Sequence, residues 1–104
     1  MVQEGRYQEH ERINRKKVWT YRYILALTHE GRTFRDFQGY WNGKVYYNRQ
    51  EDEAFPGTFE NKYDKKTKNY TSLKRAQIGA EKLKNRICGY RIEVVEIEWS
   101  WSWQ

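Results

Sequence analysis

Lys65, Lys66, Lys68, Lys74, Arg75, Lys82 and Arg86 crowd into one stretch of the chain. Cations at that density suit one kind of chemistry, the neutralisation of phosphates with release of their counterions. From Lys62 to Arg91 there are ten Lys and Arg against Asp64 and Glu81, a local charge of +8, while the rest of the chain sums to −2. A surface polarised in this way draws anionic partners, of which nucleic acid is the commonest. A solvated helix face kept basic for solubility has the same composition. The two readings part only on whether the charges converge in space.

Aromatic and apolar candidates accompany the basic ones. The closing run EWSWSWQ sets Trp99, Trp101 and Trp103 at every second position, as on one face of a strand. Three roles stay open for them. These are cover for the sheet face opposite the helix, a dock for a partner or a second copy of the chain, and a platform on which bases stack. Ile78 falls among the basic residues of the same stretch, where a contact anchor is expected, although single exposed apolar residues are also ordinary.

Catalytic constellations are sparse. His10-Glu11 opens the pattern of a zinc-protease helix, but Asn14 stands where the second histidine is required. His10 and His29 are the only histidines, and neither a nucleophile elbow nor a glycine-rich phosphate loop is present. Glu60-Asn61-Lys62, downstream of Asp52, resembles the acid-x-lysine end of metal-dependent nuclease sites, yet acids near lysines arise by chance in a chain that is 33% charged. No catalytic residue, metal ligand or cofactor is assigned, and the chain reads as a non-enzyme. The lone Cys88 excludes an internal disulfide and reads as a small apolar residue closing a helix.

These residues need a scaffold. A chain of 104 residues fits one domain, and its 17% aromatic content, nine tyrosines included, points to a packed fold despite the charge. No apolar run approaches a membrane span, and the start MVQEGRYQEHER lacks the order of a secretory signal, so a cytoplasmic, membrane-free protein is expected. Residues 1–16 read as a polar arm or frayed helix, and 17–104 as a single α+β domain. Within it, period-2 alternation from Lys17 predicts a three-stranded antiparallel meander with turns at His29-Glu30-Gly31 and Asn42-Gly43. The first strand, two-sided, is expected to be central.

A loop of about twenty residues, QEDEAFPGTFENKYDKKTKNYT, is expected next, with a turn at Pro56-Gly57. The run SLKRAQIGAEKLKNRIC predicts one amphipathic helix, capped by Thr71 or Ser72 and ending before Gly89. Its buried stripe is Leu73, Ala76, Ala80, Leu83 and Ile87, packed on the sheet, and Lys74, Arg75, Lys82 and Arg86 share the opposite side with Ile78. The last run, YRIEVVEIEWSWSW, returns to the sheet with Val95, Ile97, Trp99, Trp101 and Trp103 on one face.

The stretch Val18 to Gly89, three strands followed by TSLKRAQIGAEKL, resembles the DNA-binding arm domains of tyrosine recombinases and the plant ethylene-response type domain. That resemblance implies a three-stranded sheet laid into the major groove. The long loop and the extra terminal strand depart from it. In style the chain is also similar to small phage and prophage open reading frames, with its KLKNR helix and IEVVEIE strand, some of which are anti-CRISPR or other anti-defence inhibitors.

Two functions are expected from this. One is a non-enzymatic phage or mobile-element binder that engages nucleic acid, or a nucleic-acid–protein complex, through Lys65, Lys66, Lys68, Lys74, Arg75, Ile78, Lys82 and Arg86. The other is an anti-CRISPR-type inhibitor that binds a defence nuclease directly, with Ile78 or the tryptophans as anchors. A homodimer through the tryptophan strand fits either.

Overall fold

The computed structural model describes residues 16–103, so the expected N-terminal arm lies outside the described residues apart from Lys16. The elements run β1 (Lys17–Glu30), β2 (Arg35–Asn48), β3 (Glu53–Phe59), α1 (Leu73–Lys84) and β4 (Tyr90–Trp103). The fold is α+β, a four-stranded antiparallel sheet in the order β3-β2-β1-β4 with one helix among the described residues. β1 is interior, as its two-sided pattern requires.

The meander is present, but its third strand is not the expected one. Asn42-Gly43 does not reverse the chain. Between the pairs Trp41↔Thr58 and Val45↔Pro56, Asn42, Gly43 and Lys44 oppose Gly57 alone, so the Asn-Gly sits in a bulge and β2 runs on through it. Gly43 takes the positive φ of 88° that the bulge needs. Val45, Tyr46 and Tyr47 then pair with Pro56, Phe55 and Ala54, residues expected to belong to a loop. Pro56 is tolerated because β3 is an edge strand and owes no N–H to an outer neighbour.

β1 and β2 pair only over Ala26–Glu30 against Arg35–Tyr40. Beyond Ala26 the two strands part, β1 following β4 and β2 following β3. The remainder of the expected loop fills the opening. The Lys68 N–H donates to the Trp41 carbonyl at 2.8 Å, Tyr70 bridges Tyr23, and Arg22 Nη1 donates to Asn69 Oδ1 at 3.0 Å. This segment is a wedge between two diverging ribbons rather than a free loop.

The helix packs where the core is deepest. Leu25, Leu27, Trp41, Leu83 and Ile87 form the buried cluster, with Ala80, Tyr90, Ile92 and Val94 against it. Ala76, Leu83 and Ile87 of the expected stripe are buried, but Leu73, the first residue of the helix, is exposed. The helix is shorter than expected. Asn85 caps it, its N–H reaching the carbonyls of Glu81 and Leu83, which leaves Cys88 exposed in the connection to β4 rather than packed at a helix end.

Candidate functional site

Ser72 sets where the helix begins. Its Oγ accepts from the Arg75 N–H at 3.2 Å, satisfying one of the first turn's orphan donors and fixing Arg75 in that turn. From there Ile78, Lys82 and Arg86 follow at intervals of three, four and four, which keeps all four residues along one side of the axis. Arg86 lies just past the helix but stays in line because its N–H donates to the Leu83 carbonyl at 2.9 Å.

This side overhangs the gap between α1 and β2. Arg75, Ile78, Gly79, Lys82, Leu83 and Arg86 from the helical side, with Trp41 and Tyr70 opposite, enclose a groove of about 360 Å³. Trp41 is 7% exposed and forms floor rather than platform. Its indole Nε1–H donates to the Lys44 carbonyl at 2.8 Å, so the ring is held in place with its one polar atom satisfied. Tyr70 lies against Gly79, where any side chain would meet the phenol. The Lys68 ammonium sits 5.5 Å from the Tyr70 ring centre, adding a fourth cation beside the groove.

None of these cations forms an ion pair with a carboxylate of the described residues. Among the described residues the ion pairs are Glu30–Arg35 at 4.0 Å and Arg91–Glu93 at 2.9 Å, both away from the groove. The helix dipole sharpens the point. Lys82 and Lys84 in the last turn suit its negative end, whereas Lys74 and Arg75 stand in a first turn that carries no acid and face its positive end. Each cation there costs stability on the order of 0.3–1 kcal/mol.

The remaining expected residues are distributed. Lys74 lines a second depression of about 440 Å³ with Gln77, Glu81 and Asn85, and Ile78, 48% exposed, is the ridge between the two hollows. Lys66 is elsewhere, in a depression of about 420 Å³ with Asn42, Lys44, Tyr46 and Phe59. Lys65 is exposed on the wedge segment. The sequence reading missed Trp41, Tyr70, Gly79 and Leu83 as groove residues. Trp41 and Leu83 carry an inward periodicity that marks them as core, but the Tyr23–Tyr70 bridge that brings Tyr70 to the helix has no local signal.

The tryptophans do not form one face. Thr20 pairs with Ser100 and Tyr21 with Glu98, so Trp99 is an extra residue bulged out of β4. The bulge turns Trp101 and Trp103 to the side of their partners Trp19 and Lys17, away from Ile97 and Val95. Trp101 lies 6.5 Å from Trp19 and 5.5 Å from Trp103, with the Lys17 ammonium over both Trp19 and Trp101. Trp99 instead receives the Arg22 guanidinium at 5.3 Å. All three indoles remain about half exposed.

Three tyrosines near the wedge and core titrate above their ordinary value of 10.0. Tyr23 is raised chiefly because its hydroxyl donates to Glu96 Oε2 at 3.1 Å, Tyr70 by burial, and Tyr90 by burial with the Glu53 charge adding to it. Asp52 accepts from the Tyr47 hydroxyl at the β2–β3 turn, and Lys62 lies 5.3 Å from the Tyr63 ring centre. Among the described residues no three His, Cys, Asp or Glu side chains converge as metal ligands, and no helix is long and apolar enough to cross a membrane. No protein-family model, curated protein or solved structure matches the chain.

Proposed function

We propose that the chain is a small non-catalytic binding protein of the phage or mobile-element kind, working in the cytoplasm, that grips nucleic acid through the groove-lining side of α1. One observation carries this reading. Arg75, Lys82 and Arg86 line a single concave surface, with Lys68 beside it, and no carboxylate of the described residues pairs with any of them. A face kept basic only for solubility has no reason to place Lys74 and Arg75 against the positive end of the helix dipole. A phosphate docked there relieves that repulsion and gains the charge of the whole stripe.

Fluorescence anisotropy with labelled DNA and RNA over a salt series tests it. With three or four phosphates neutralised, log K falls against log salt with a slope of about −2 to −4. Affinity that does not change with salt rejects the reading.

A second reading has its own support in Ile78, the half-exposed apolar ridge between two hollows. That shape suits an anchor in a protein interface, as in an anti-CRISPR-type inhibitor seated on a defence nuclease. Failure to bind any oligonucleotide at low salt favours this second function.

A further inference from the structure

Phosphates alone have no use for an apolar floor. The groove has one, made by Trp41, Leu83 and the Tyr70 ring, under a rim of Arg75, Lys82 and Arg86. Its volume of about 360 Å³ lies in the range of pockets that take small organic ligands, roughly 300–1,000 Å³. Gly79 lets the Tyr70 ring close on the helix and form part of that floor, since a side chain at that position would run into it. The rim side chains add to the fit, because arginine guanidinium groups stack flat on aromatic rings and their stems are apolar.

A flat aromatic group flanked by negative charges meets these features. A paired duplex cannot offer such a group, since its bases are stacked inside and its backbone is convex. We infer that the groove receives one unpaired base of a single-stranded nucleic acid, with the flanking phosphates on Arg75, Lys82 and Arg86. The inference rests on the nucleic-acid reading above and narrows it to single strands. Ile78 forms the wall against which the base edge packs, and Lys68, beside Tyr70, meets the next phosphate along.

The test compares three labelled probes of matched charge at one salt concentration: a single strand, the same strand with abasic sites, and a blunt-ended duplex. The single strand binds about tenfold more tightly than the other two, the low end of what stacking one base contributes. Ile78→Ala, at an exposed position outside the core, narrows that preference to about twofold and leaves the salt slope unchanged. Equal binding of all three probes by the parent protein overturns the inference while the nucleic-acid reading stands. Binding of none of them, or of an acidic aromatic peptide in their place, overturns both.

Discussion

Tyr23 and Tyr70 exchange both of their backbone hydrogen bonds, N–H to carbonyl at 3.0 Å in one direction and 2.8 Å in the other. That single antiparallel bridge ties the wedge segment to β1 where β1 and β2 have parted, and it delivers the Tyr70 ring to Gly79 of α1. The groove exists because these contacts hold the helix off β2 at a fixed distance.

Gly79→Ala should therefore destabilise the protein, although alanine is the better helix former by about 1 kcal/mol. The added methyl group meets the Tyr70 hydroxyl and ring, and overpacking of this kind costs about 1–3 kcal/mol. Denaturant unfolding of Gly79→Ala, Tyr70→Phe and the double variant should give a coupling of about 1 kcal/mol, with the phenylalanine partly rescuing the alanine. A Gly79→Ala protein more stable than its parent contradicts the contact.

The bulge in β4 makes an unusual deletion tolerable. Removing Trp99 leaves every pair from Lys17↔Trp103 to Thr20↔Ser100 opposite its present partner and restores an uninterrupted ladder to Glu98. The loss is the Arg22–Trp99 contact, about 0.5–1 kcal/mol for a cation over an exposed ring. Deleting Glu96 instead shifts the strand against Tyr23 and turns its side chains over, so it should lower the melting temperature far more. Equal losses from the two deletions would place Trp99 in the regular ladder.

Much of this architecture was legible in the chain. The interior position of β1, the helix with its Ser72 cap, the burial of Ala76, Leu83 and Ile87, and the return of β4 all follow from periodicity and capping chemistry. Two features hid behind strong local signals. Asn42-Gly43 carries the residues of a tight hairpin, but whether the chain reverses there depends on whether Val45–Tyr47 find a partner beyond it, and Ala54–Pro56 supply one. Pro56-Gly57 in turn disguises that partner as a loop. Alternation misplaces the tryptophans because one extra residue at Trp99 inverts every later face, and the pattern along a single strand cannot reveal what its neighbour skips. The basic residues could be counted in the sequence, whereas the recess beneath them depends on the nonlocal Tyr70 bridge.

The raised tyrosines give the fold a high-pH limit. A phenol whose folded pKa exceeds 10.0 binds its proton more tightly in the folded state, so its stabilisation is complete below pH 10 and is lost as pH rises through the folded value. Phenolate absorbance in the folded protein should show Tyr23, Tyr70 and Tyr90 titrating late, and in denaturant all should return to the ordinary value. Glu96→Gln removes the carboxylate acceptor and should bring Tyr23 down in the folded state. Normal titration of every tyrosine in the folded protein would refute the Tyr23–Glu96 hydrogen bond.

The most direct measurement sets charge reversal in the groove against charge reversal outside it. Lys82→Glu with Arg86→Glu changes two cations of the groove, whereas Lys65→Glu with Lys66→Glu makes the same change in net charge on the wedge segment. With circular dichroism confirming both folds, the groove variant should lose about a hundredfold in affinity for a single-stranded oligonucleotide and the wedge variant only a few-fold. Equal losses from the two variants, or undiminished binding by the groove variant, would contradict the assignment of the groove as the docking site.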